Sequence, residues 1–152
     1  MLKIVIAVLA ATMTLAVAGC GENDAEKKAE AAAESGRGTI TCEGSATSDP
    51  TGLPSGFPQP DAVTYVTATK TGPTNVVDGY STESLEGMYN EYKELFKEAG
   101  YKISFSELEK DRGDSEVAYE ATNNTSGIVA LRGGDACDNG NVSVHITNRP
   151  AD

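Results

Sequence analysis

Residues 81–100 read STESLEGMYNEYKELFKEAG, and this stretch decides the fold. Leu85, Met88, Tyr89, Tyr92, Leu95, Phe96 and Ala99 recur at spacings of three and four. On a 3.6-residue period they draw one apolar stripe along a helix over 81–99. Ser81 or Thr82 can cap its start by accepting a backbone N–H. Glu83 and Glu86 sit at the positive end of the helix dipole, and Lys93 and Lys97 lie nearer the negative end. Gly100 offers the left-handed position that ends a helix, with Tyr101 able to fold back over the last turn. Such a stripe must be covered, and the flanking sequence supplies a sheet.

Upstream, residues 63–71 are rich in β-branched side chains, with Val63, Tyr65, Thr67 and Thr69 predicted on one face. Gly72-Pro73 marks a turn, and 74–80 returns as a hairpin partner. Downstream, 101–108 alternates Tyr101, Ile103 and Phe105 against Lys102, Ser104 and Ser106. Residues 116–122 place Val117, Tyr119 and Ala121 together, 127–132 form a further strand, and 142–147 a last one. There Val142, Val144 and Ile146 face inward, with Ser143, His145 and Thr147 toward water. Residues 38–42 read as one more short strand. Pro50, Pro54, Pro58 and Pro60 make 45–60 a loop. One-sided alternation belongs to antiparallel pairing with one wet face. The expected fold is therefore α+β, an antiparallel sheet of five to seven strands with one amphipathic helix packed on one face.

The chain has 152 residues, with 12 Lys plus Arg against 23 Asp plus Glu, for a net charge of -11. A body this acidic is not expected to bind nucleic acid, which needs a basic face. Lys3 precedes an apolar run from Ile4 to Val17 broken only by Thr12 and Thr14. That run is shorter than the about 20 residues a membrane span requires, and it fits a secretory signal peptide. It ends in Val17-Ala18-Gly19-Cys20, which resembles the lipobox of bacterial lipoproteins. The resemblance implies cleavage of residues 1–19 and a diacylglyceryl group on the Cys20 thiol. It also implies residence at the cell membrane, lipid-anchored on the extracytoplasmic side. Leu53-Pro54-Ser55-Gly56-Phe57-Pro58, Ala99-Gly100-Tyr101 and a Cys in the last hairpin are similar to small uncharacterised bacterial lipoproteins, a likeness that implies no activity. Residues 20–38, GENDAEKKAEAAAESGRG after the acylated Cys20, lack large apolar side chains and read as a flexible tether. As a random coil it reaches about 23 Å. Residues 39–152 are then a single α+β domain.

With Cys20 acylated, Cys42 and Cys137 remain as an even pair outside the cytosol, which predicts one structural disulfide. No C-x-x-C spacing supports a redox-active pair. His145 is the only histidine, and it reads as a solvated strand residue, because no neighbouring sequence supplies the nucleophile or carboxylate of a catalytic site. Asp135, Asp138 and Asn139 superficially suggest a calcium loop, but Cys137 and Ile146 occupy positions that need oxygen ligands. Arg112-Gly113-Asp114 spells an adhesion tripeptide whose Gly and Asp are equally what a turn requires. Asn123, Asn124 and Asn141 begin sequons that read as polar turn residues. Glu107, Glu109, Asp111, Asp114, Glu116 and Glu120 crowd one hairpin and read as a solvated rim.

No catalytic, cofactor or metal residue is expected. The leading expectation is a non-catalytic binding or protein-interaction module of the cell envelope, with an envelope protein as partner and tyrosines on an open sheet face as a binding hint. Two alternatives stand beside it: a carrier of a small apolar ligand or lipid, which needs a cavity between helix and sheet, and an envelope hydrolase, which needs a nucleophile and base.

Overall fold

A computed structural model describes residues 38–47, 50 and 52–151. Residues 1–37, on which the expected signal peptide, the Cys20 acylation site and nearly all of the expected tether fall, lie outside the described residues. The chain forms β1 (Val63–Thr71), β2 (Thr74–Ser81), α1 (Leu85–Glu98), β3 (Lys102–Glu109), β4 (Asp114–Ala121), β5 (Thr125–Arg132) and β6 (Val142–Pro150). The six strands make one sheet in the order β1-β2-β6-β5-β4-β3, antiparallel at every step. The β1–β2 hairpin and the β3-to-β6 meander join where β2 pairs β6. Helix α1 makes the link, lying on β3, β4 and β5. The fold is the expected α+β.

The helix begins later than its sequence suggests. Ser84, and not Ser81 or Thr82, is the cap, its Oγ accepting from the Gly87 N–H at 3.1 Å. Ser81 still belongs to β2 and is buried, its Oγ accepting from the Glu83 N–H. The other end behaves as expected. Gly100 takes φ +76°, and the Tyr101 and Gly100 N–H groups donate to the Phe96 and Lys97 carbonyls. This satisfies backbone acceptors the helix leaves open. Tyr101 then stacks on Phe96, ring centroids 5.4 Å apart and 6° from parallel.

Met88, Tyr92 and Phe96 are fully buried against Val77, Val117, Val129, Val144 and Ile146. Phe57, inside the proline-rich loop, is also core: its ring meets Phe96 and Tyr119 edge-on, each at 5.5 Å. Gly127 lies opposite Tyr119 in the β4–β5 register. A side chain at Gly127 would overlap the Tyr119 phenol. Tyr119 therefore crosses the bare backbone of β5, and its hydroxyl donates to Thr147 O and Asn148 Oδ1 of β6. A large ring covering a strand glycine replaces the packing that glycine lacks.

Both edge strands carry a register shift, between Tyr65 and Thr67 in β1 and between Ile103 and Phe105 in β3. One extra residue inverts the faces beyond it. Thr67 accordingly leaves the face of Tyr65, and its hydroxyl meets Asp78 on the far side at 3.1 Å. Phe105 likewise leaves the face of Ile103 and stands 49% exposed. Residues 38–42 are not a strand: they have no ladder partner and cross the sheet as irregular backbone.

Candidate functional site

The helix covers one face of the sheet. The opposite face is the candidate site, and the register builds it in rows. One row crosses β2, β6, β5, β4 and β3 through Val76, Thr147, Ile128, Ala118 and Phe105. The next runs through Asp78, His145, Ala130, Glu116 and Glu107. Phe105 and Ile128 are 49% and 41% exposed, so part of this face is apolar and open to water.

The other part is roofed by residues 38–47, a strap held by several bonds. The Cys42–Cys137 disulfide is formed, with Cα atoms 5.5 Å apart. Cys42 O accepts from Asn139 Nδ2 at 3.0 Å and Asn141 Nδ2 at 2.7 Å. The Thr41 N–H donates to Ser143 Oγ at 2.8 Å. The Tyr80 hydroxyl donates to Gly44 O, and the Thr47 N–H to Tyr65 O. This strap explains why 38–42 make no strand. The face it lies on is already paired edge to edge, so side chains and a disulfide satisfy it in place of a ladder.

His145 corrects the expectation of a solvated imidazole. It and Ser143 are buried, 9% and 2% exposed, because the strap covers them. His145 Nδ1 lies 2.6 Å from Asp78 Oδ1, and Asp78 Oδ2 accepts from the Thr67 hydroxyl. A donor–acceptor pair of this kind offsets the cost of burying both groups and fixes the ring plane. Gly38 sits on that ring with φ +67°, where a Cβ would overlap the imidazole. Gly38→Ala is expected to cost about 1–2 kcal/mol through left-handed strain and displacement of the strap. NMR should show the His145 ring protons shifting in this variant, and an unmoved ring would show that Gly38 is not its seat.

The remaining candidates take structural places. Asn139 and Asn141 hold the strap, and among the described residues no group of three His, Cys, Asp or Glu could hold a metal ion. In the adhesion-like tripeptide Arg112 pairs with Glu109 at 3.2 Å and Asp114 with Arg132 at 3.6 Å, so both charges are engaged within the domain. Asn123 accepts from Thr125 in the β4–β5 turn, where Asn124 takes φ 61°. Glu107, Glu109, Asp114 and Glu116 line a shallow groove beside Arg132 on the open part of the far face. The expected display of tyrosines on an open sheet face is not found: Tyr65, Tyr89, Tyr92 and Tyr119 are buried on the helix side, Tyr101 packs against them, and Tyr80 on the far side is bonded to the strap. Tyr65, Tyr92 and Tyr119 are core, and burial raises the pKa of each. Tyr89 is the opposite case: a hydrogen bond with Ser106 is the main cause lowering its pKa, and Lys93 adds to it.

Sequence reasoning missed Phe105 as an exposed residue and Asp78 as the partner of His145. The Asp78 signal lay in the β2 sequence Val76-Val77-Asp78, a charge inside an apolar strand. No protein-family model, curated protein or solved structure matches this chain.

Proposed function

We propose that this protein is a lipid-anchored, non-catalytic interaction module held on the extracytoplasmic side of a cell membrane through Cys20, with a protein partner in the cell envelope. The observation that carries the interaction reading is the division of the sheet: α1 and the Phe57 loop cover one face, while the other leaves Phe105 and Ile128 exposed to water. Large apolar side chains grouped on one surface mark contact sites. The anchoring reading rests on Val17-Ala18-Gly19-Cys20. A two-chain lipid holds stably where a single chain is marginal.

The two alternatives find less support. A carrier needs space between helix and sheet, and Met88, Tyr92, Phe96 and Tyr119 fill that interface. A hydrolase needs an accessible base, whereas the His145 imidazole is bonded to Asp78 and roofed by Gly38.

Cells fed labelled palmitate test the anchor. The wild-type chain should take up label and sediment with membranes, and Cys20→Ser should lose the label and most of the membrane fraction. A chain that never takes up label, or fractionates identically either way, removes the anchor. In-cell crosslinking followed by mass identification tests the partner, and no reproducible neighbour would count against interaction.

A further inference from the structure

We propose that Asn139-Gly140 is a self-modifying site, where spontaneous deamidation turns the Asn139 amide into an acid and slackens the strap. The proposal goes beyond the interaction reading and depends on neither the anchor nor a partner. Asn139 is the one asparagine of the chain that precedes a glycine. A glycine nitrogen has no neighbouring Cβ to shield it, so the side-chain amide before it can approach closely. Asn139 Oδ1 accepts from the Asn141 N–H at 3.1 Å, an Asx turn that folds the amide back over the Gly140 peptide. The same bond draws electron density from the amide carbon, the atom to be attacked. Asn139 and Gly140 are exposed, and Asn139 borders a hollow, shared with Cys42, Glu43, Ala136 and Asp138, that admits water.

Water and hydroxide suffice for the chemistry. The Gly140 N–H gives its proton to hydroxide, and the nitrogen attacks Asn139 Cγ. A cyclic imide closes as the Cγ–Nδ2 bond breaks, and Nδ2 leaves as ammonia. Water then opens either imide carbonyl. One opening yields aspartate at 139. The other yields isoaspartate, whose backbone runs through the former side chain and is longer by a methylene. In both cases a water is consumed, an ammonia is released and no electron is transferred.

The position turns this chemistry into a change in the strap. Asn139 Nδ2 and Asn141 Nδ2 both donate to Cys42 O, at 3.0 and 2.7 Å. An acid at 139 offers that carbonyl no donor, and its carboxylate stands against it with Glu43 and Asp138 close by. Isoaspartate also adds backbone directly ahead of Asn141 and Ser143. It therefore displaces the second donor and the hydroxyl that accepts from the Thr41 N–H. The Cys42–Cys137 bond persists, so the strap lifts from β6 while staying attached. The change is irreversible, so the uncovered state accumulates with the age of each molecule.

The purified full-length chain, held in mildly alkaline buffer and sampled over days, tests both parts. Peptide mass analysis should show the amide-to-acid gain at Asn139 about tenfold faster than at Asn141, which precedes the β-branched Val142. The Thr41 amide of the aged chain should exchange with solvent about fivefold faster than that of the fresh chain, the effect of about one lost hydrogen bond. Asn139→Asp carries the charge without the longer backbone and should reproduce part of that gain. Gly140→Ala puts a Cβ beside the nitrogen, with no other atom in its way, and should hold mass and exchange at their fresh values. Asn139→Gln, whose longer side chain closes the imide far more slowly, repeats that block without disturbing the left-handed Gly140. Conversion at Asn139 no faster than at Asn141 overturns the modification. Conversion that leaves Thr41 exchange unchanged overturns the loosening.

Discussion

Replacing Cys42 and Cys137 together by serine is expected to lower the unfolding free energy by about 4–5 kcal/mol. The two residues are 95 apart in sequence, so the bond closes nearly the whole described domain into one loop. Opening it restores chain entropy to the unfolded state, and the loss grows with loop length. Denaturant titration of both forms checks this, with an unchanged slope and a lower midpoint. The helix–sheet core contains no strap residue, so the variant should keep its helix signal in buffer. The strap should loosen first. The Thr41 and Thr47 amides, bonded to Ser143 Oγ and Tyr65 O, should exchange with solvent far faster than those of β6. A midpoint shift equivalent to less than about 1 kcal/mol would show that the strap is incidental to the fold.

Alkaline pH should unfold the domain cooperatively between about pH 11 and 12. Tyr65, Tyr92 and Tyr119 are nearly inaccessible. Burial pushes the Tyr65 phenol up to about 12, and it raises Tyr92 and Tyr119 as well. Tyr65 and Tyr92 also meet hydroxyl to hydroxyl at 3.4 Å. The unfolded chain releases these protons near pH 10, and the folded chain holds them higher. The stabilisation is therefore whole below pH 10 and is lost as pH rises through the folded values. Each phenol removes about 1.4 kcal/mol per pH unit in that window, so three remove about 4 kcal/mol per unit. Two such units remove about 8 kcal/mol, enough to unfold a domain in the lower half of the ordinary range of about 5–15 kcal/mol. Phenolate absorbance should rise in step with the loss of helix signal, and Tyr92→Phe should flatten the dependence by about a third. Phenolates appearing well before the helix signal falls would mean that the rings ionise in place.

These two results draw on parts of the sequence that differ in legibility. The helix was readable because seven apolar residues keep one period and Gly100 ends it. The central strands were readable because their partners on both sides preserve alternation. The edges were not. A single extra residue at the β1 and β3 shifts turns Thr67 and Phe105 to the opposite face, and no local residue type announces it. Phe57 escaped because a proline-rich stretch has no period to assign it to a core, although a large aromatic ring among prolines was a usable sign. The cysteine pair followed from simple elimination, but its consequence did not. Only with Cys42 bonded to Cys137 does the strap come to lie over β6 and bury the imidazole. The candidate face was therefore half legible: its residues were visible, and what covers them was not.

The strap also decides how the molecule bears tension. A pull on the chain ahead of Gly38 can peel only the few residues up to Cys42, where a covalent crosslink passes the load to Cys137 just before β6. The intervening hairpin, helix and strands β3–β5 fall outside the load path. With thiols oxidised, tension applied ahead of Gly38 would enter the sheet at β6, a central strand held on both sides, and spare the edge strand β1. With thiols reduced, the same force would travel on along the backbone and begin to unzip β1 from the sheet's edge.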